Sequence, residues 1–123
     1  MIKGEFIKEN VPIIKASVAW GQSAQETYFL LDTGFTGDMQ VTPAIAEELG
    51  LEVTGVINTR IANGEIVAIP TASALSSMEG ITKSIQVLIS KGVPFLGISF
   101  LSKFDYKAIV NCKHKTVSLK RVS

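Results

Sequence analysis

The chain has one cysteine, Cys112, among its 123 residues, so no internal disulfide can form and no cysteine cluster can hold a metal. It has no excess of either charge: 12 basic side chains face 11 acidic ones, a formal net charge of +1. Near-neutrality removes the electrostatic footprint that nucleic acid or an anionic membrane surface calls for. The one basic-looking run, "KHKTVSLKR", alternates with apolar residues and reads as a strand with a solvated face. No apolar run reaches membrane-spanning length, and "MIKGEFIKEN" carries charges where a signal peptide has its apolar core. Repeats, low-complexity tracts and linkers are missing too. The expectation is one domain over residues 1–123 in a soluble, cytoplasmic protein, with no cofactor and no metal.

What is present is globular in kind, with 46% hydrophobic and 19% charged residues. Most of the chain reads as strands. "VPIIKASVAW" and "SAQETYFLLD" flank Gly21-Gln22 as a hairpin. "VINTRIANGEIVAIPTASAL" reads as two arms around Asn63-Gly64, a pair suited to a type I′ turn because both central residues need positive φ. "ITKSIQVLIS" is a further strand bounded by Lys91-Gly92, and a last hairpin turns around Lys113 and His114. Helix signals are few. "TPAIAEELG" has Thr42 to cap it, Pro43 in its first position and Gly50 to stop it. A second short helix is expected after Gly97, where Leu101 and Phe104 have helical spacing. The class is all-β, mainly antiparallel, with one or two short helices.

Within this pattern "YFLLDTGFTGDMQV" stands out, because an apolar strand runs straight into a carboxylate. A buried acid is costly unless it is paired or has a task. The strand would hold Asp32 rigidly, and Gly34 would let the chain turn sharply and another backbone come close. Thr33 offers a hydroxyl to brace the loop, and Gly37 lets the chain reverse into the next strand, Asp38 to Val41.

"LLDTGFTG" resembles the active-site motif of retroviral-type (retropepsin-like) aspartic proteases, in the variant of a group of small prokaryotic proteins with phenylalanine after Asp-Thr-Gly. The second motif of that family, two apolar residues and a glycine before a short helix, is matched by Phe95-Leu96-Gly97 in "PFLGISFLSKF". Its hairpin flap would fall at Ile61-Ala62-Asn63-Gly64-Glu65. The ordered set covers nearly the whole chain and implies the half-barrel acid-protease fold. It implies a catalytic loop Asp32-Thr33-Gly34, supported from behind by Leu96 and Gly97. It also implies substrate contacts from Phe35, Ile61, Ala62, Asn63 and Gly64. Phe35, where the retroviral enzymes carry alanine, would narrow or reshape a substrate pocket.

The chemistry of that family needs two carboxylates sharing one proton. Like charges about 3 Å apart cannot both ionise, and this protease class is the standard illustration of that effect. The pair titrates as a unit. The chain has one Asp-Thr-Gly, while Asp38 lies in a turn and Asp105 follows the second helix. The resemblance therefore implies a homodimer with Asp32 from each copy on a twofold axis and the Thr33 hydroxyls cross-bonding the two loops. The reaction implied is peptide-bond hydrolysis, with the substrate bound as an extended strand in apolar pockets.

Other readings compete. The chain also contains Asp-x-Gly-x-Thr, resembling the phosphate loop of the actin and sugar-kinase fold, but it lacks that fold's length and helices. A catalytically silent, protease-like dimeric module for peptide binding or assembly is the alternative of a different class. Arg60 and Glu65 read as solvated charges beside the hairpin tip, and His114 as a surface residue. Trp20 and Tyr28 read as sheet or interface packing, and Cys112 as a small core or half-buried residue.

Overall fold

The computed structural model describes residues 1–60 and 62–123. In chain order the elements are β1 (Ile2–Lys3), β2 (Glu5–Ile7), β3 (Val11–Trp20), β4 (Ser23–Leu31), β5 (Met39–Val41), α1 (Pro43–Leu49), β6 (Val53–Arg60), β7 (Ile66–Met78), β8 (Ile81–Ile89), β9 (Phe95–Leu96), α2 (Ile98–Lys103), β10 (Tyr106–Asn111) and β11 (Thr116–Arg121). The fold is mostly β and rich in antiparallel pairs, as the strand patterns require.

Eight strands form one sheet in the order β2-β3-β4-β9-β5-β8-β7-β6, and β3 also touches β7 at Ala19↔Leu75, which folds the sheet back on itself. A second sheet has the order β1-β11-β10. Alternation drives this arrangement. Ile14, Ala16 and Val18 of β3 are buried, and so are Ala72, Ala74 and Met78 of β7, the period of two that a half-buried strand requires. All of these but Ala72 join Phe29, Met39, Val87, Leu96, Phe100, Phe104 and Leu119 in one core.

Among the described residues two pairings are parallel, β4 with β9 and β5 with β8. The short β9 is inserted between β4 and β5 at the centre of the large sheet, parallel to the first and antiparallel to the second. This insertion sets the second apolar-apolar-Gly segment against the end of β4.

The helices form where the caps place them. Thr42 Oγ1 accepts a hydrogen bond from the Ile45 N–H at 3.2 Å, Pro43 opens α1, and Gly50 closes it at φ +68°. Among the described residues no helix is long and apolar enough to cross a membrane.

Two expectations are corrected. The type I′ geometry falls at Glu79-Gly80, with φ +51° and +82° between the paired Met78 and Ile81, and not at Asn63-Gly64. Among the described residues of the β6–β7 tip only Gly64 is left-handed (φ +88°), because the ladder stops at Arg60↔Ile66 and leaves a longer connection. There the Asn63 side chain does the turning, accepting from the Glu65 N–H at 2.9 Å. Cys112 is exposed. The β10–β11 ladder ends at Asn111↔Thr116, so Cys112 stands in the turn beyond it, beside an equally exposed His114. The N-terminal "MIKGEFIKEN", for which no element is expected from the sequence, contributes β1 and β2.

Candidate active site

Asp32 is the first residue beyond β4. The strand delivers it beside β9 through the parallel pairs Leu30↔Phe95 and Leu31↔Leu96, and its own N–H donates to the Leu96 carbonyl at 2.9 Å. The chain then turns at once. Phe35 N–H donates back to the Asp32 carbonyl at 3.1 Å, and the Asp32 carboxylate accepts from Gly34 N–H through Oδ1 at 3.0 Å. A Cβ on Gly34 would lie 3.3 Å from that oxygen, so glycine here leaves the carboxylate uncrowded. The result is a half-buried acid on a rigid strand end, its carboxylate oriented by a backbone N–H.

The loop is clamped from behind. Gly97 N–H donates to the Asp38 carbonyl at 3.0 Å, and Ile98 N–H donates to the Phe35 carbonyl at 2.9 Å. A Cβ on Gly97 would run into the Gly37 carbonyl oxygen and lie 2.5 Å from the Phe35 carbonyl oxygen. Only glycine fits between the two segments. Leu96, fully buried, anchors the clamp in the core. The structure thus brings Asp32, Thr33, Gly34 and Phe35 together with Leu96 and Gly97.

Phe35 packs edge-to-face on Phe95, with ring centroids 4.9 Å apart and planes at 86°. Its ring lies over Gly37, whose Cβ position is 2.6 Å from Phe35 Cζ. Phe35 also forms part of a cleft of about 380 Å³, with Ile57 of the β6 arm and Leu88 as further apolar walls and Asp38, Gln86 and Lys103 at the polar end. Ala62, Asn63 and Gly64 are exposed at the hairpin tip and do not line this cleft. Ile61, also expected to contact substrate, lies outside the described residues. Arg60 is exposed yet engaged, donating through Nη1 to the Gly64 carbonyl at 2.9 Å.

Thr33 does not brace its own loop. Among the described residues its hydroxyl makes no hydrogen bond; the Gly34 N–H and the backbone clamp perform that task. Thr33 instead faces outward, in a groove shared with Ile98, Leu101, Tyr106 and Ala108.

The residue that sequence reasoning undervalued is Asp38. It follows a bend, as expected, but its side chain is only 3% exposed and accepts from Lys103 Nζ at 2.6 Å and from Gln86 N–H at 2.9 Å, both through Oδ2. Asp38 Oδ1 is buried without a partner. A charge so placed persists because an opposite charge and a backbone donor compensate its desolvation. The available signal was its position directly before the wholly buried "MQV" strand. Asp105, the other acid weighed as a partner for Asp32, is exposed at φ +56° beyond α2.

No protein-family model and no curated protein sequence matches the chain. Among solved structures it is similar to the crystal structure of a retropepsin-like aspartic protease from Rickettsia conorii, with 17% identity, a TM-score of 0.65, and an alignment covering 99% of this chain and 90% of that one. The likeness shows a retropepsin-like fold.

Proposed function

We propose that this chain, as one domain, is half of an aspartic endopeptidase completed by a second copy. The observation that carries the reading is the placement of Asp32. It is a half-buried carboxylate at a strand end, within Asp-Thr-Gly, clamped by Leu96-Gly97 in a retropepsin-like fold. Asp38 is committed to Lys103, so the second carboxylate comes from the twofold-related Asp32.

In such a pair one carboxylate takes a proton from a bound water, which attacks the scissile carbonyl carbon. The other, protonated, donates to the carbonyl oxygen as negative charge develops there. Collapse of the tetrahedral intermediate breaks the C–N bond as the amine leaves with a proton. Asp32 and Thr33-Gly34 would form the catalytic loop. The substrate would lie extended between the loop and the β6–β7 hairpin. Phe35 would supply an apolar contact there and the tip residues, Ile61 to Gly64, would close over it.

The experiment is incubation of the chain with diverse unfolded proteins at acid and neutral pH, with and without a transition-state-mimicking inhibitor such as pepstatin. Cleavage that the inhibitor and Asp32→Asn both suppress is the expected result. Binding of extended peptides without cleavage at either pH would favour the silent module instead.

A further inference from the structure

The three-stranded sheet has an open side. Among the described residues β10 pairs with β11 on one edge and with nothing on the other. Natural edges are blunted by proline, bulges, shortness or charge. β10 is a regular strand of six residues, "YKAIVN", whose one charge is Lys107. The other open edges are less suited to pairing. β6 carries a register shift between Val53 and Gly55, and β2 is three residues long.

Cover also runs out along β10. On its inner face Tyr106 is buried, but Val110 is 42% exposed although it sits opposite the buried Val117. On the outer face Ile109 is 46% exposed. Two consecutive β-branched residues are therefore open on opposite faces of one unpaired strand. The surface continues without a break to the acid loop, because Ala108 and Tyr106 share a groove of about 470 Å³ with Thr33, Leu101 and Ile98.

We infer that a second copy of this chain occupies this surface, β10 pairing antiparallel with its own copy across a twofold axis while β1 and β11 stay within their own chain. The inference rests on the homodimer reading above and names its interface. An axis that brings two Asp32 carboxylates together passes the neighbouring Thr33, and the groove leads from Thr33 to β10.

Strand exchange at the N-terminus is disfavoured by what β11 already holds. Its far edge is filled from within by Ile2↔Leu119 and Lys3↔Ser118, and Gly4 N–H donates to the Val117 carbonyl at 2.8 Å. Gly4 is itself pressed against the Ile13 carbonyl, where no Cβ would fit. The two three-stranded sheets would thus merge into one of six strands by addition at β10.

Charge restricts the register. A twofold normal to the sheet sets one residue opposite its own copy. Centred on Lys107 it would oppose two ammonium groups, which destabilises a strand pair. Centred on Ala108 or Ile109 it sets Lys107 against Ile109 or Asn111.

The test uses the full chain with Cys112→Ser, so that the exposed native thiol cannot cross-link. Under mild oxidation Ala108→Cys or Ile109→Cys should give a disulfide-linked dimer, whereas Glu26→Cys on β4 should not. In light scattering Ile109→Lys should raise the dimer dissociation constant by about a hundredfold or more through like-charge opposition, with an unchanged circular dichroism spectrum. Mixing it with Ile109→Glu in the Ile109-centred register, or with Lys107→Glu in the Ala108-centred one, should restore a dimer, which a misfolded variant could not do. A wild-type dimer that neither cross-links at these positions nor responds to Ile109→Lys would overturn the β10 interface and leave the shared-Asp32 reading standing. A wild-type chain that stays monomeric and inactive at high concentration would remove both.

Discussion

Lys103 Nζ lies 2.6 Å from Asp38 Oδ2, tying α2 to the entry of β5 directly behind the Asp-Thr-Gly loop. The pair is asymmetric: the carboxylate is 3% exposed, whereas the lysine side chain is 40% exposed. Lys103→Met strands a buried anion and should cost about 3–4 kcal/mol. Asp38→Asn leaves an ammonium that water can reach and keeps an acceptor for the Gln86 N–H, so about 1–2 kcal/mol is expected. Denaturant unfolding of both variants measures the order, and an equal loss would contradict the asymmetry.

Gly97→Ala should destabilise by about 3 kcal/mol through overpacking, because its Cβ meets two backbone carbonyls that cannot swing aside. Gly97 has φ −112°, so the effect would be steric and not conformational. A drop in Tm of several degrees for Gly97→Ala, against almost none for Ser102→Ala on the exposed side of α2, would check it.

Phe35 and Gly37 should be coupled. Gly37→Ala alone must displace the Phe35 ring from its packing on Phe95, but in a Phe35→Ala background the three atoms nearest the added methyl, all of that ring, are gone. A double-mutant cycle in unfolding free energy should give a coupling of about 1 kcal/mol or more. Strict additivity would show that the ring moves freely.

Catalysis should respond to Asp32 as a shared site. Asp32→Asn is expected to lower kcat by about a thousandfold or more, the scale of lost general acid–base function. In mixtures of wild type and Asp32→Asn allowed to exchange subunits, activity should follow the square of the wild-type fraction. A linear decline would mean that each chain works alone.

Tyr106 gives a pH signature. Burial first, and then the hydrogen bond donated to Glu79 Oε1 at 2.7 Å, hold its phenol above the ordinary tyrosine value of 10.0. The folded chain therefore retains a proton that the unfolded chain releases. The resulting stabilisation is full below about pH 10 and is lost as pH rises through the folded value. Tyr106→Phe should be less stable than wild type at neutral pH, and the gap should narrow above about pH 10. Alkaline unfolding of both chains, followed with phenolate absorbance, reads this directly.

Local signals account for what could be read early. The Thr42-Pro43 start and Gly50 stop of α1 are satisfied by groups within a few residues, so propensity and capping were sufficient. Strand patterns in β3, β4 and β7 likewise follow from alternation against one core. The Asp-Thr-Gly and Phe-Leu-Gly segments could be paired because together they resemble the two motifs of one family, and at Gly97 the close backbone approach that needs glycine is present. The misjudged residues depended on distant partners or on ladder ends. Asp38 is defined by a lysine 65 positions away. Cys112 is exposed because pairing stops one residue earlier. The Glu79-Gly80 turn owes its left-handed pair to the register of β7 on β8.

By itself the sequence determined the β class, the caps of α1 and the two glycine segments, since each rests on contacts or steric limits close along the chain. Only the tertiary structure decided that β9 slides between β4 and β5 to clamp the acid loop, that Asp38 is buried against Lys103, and that β10 is left with a bare edge. Those outcomes depend on which strands become neighbours, and strand neighbours are chosen by the packing of the whole core.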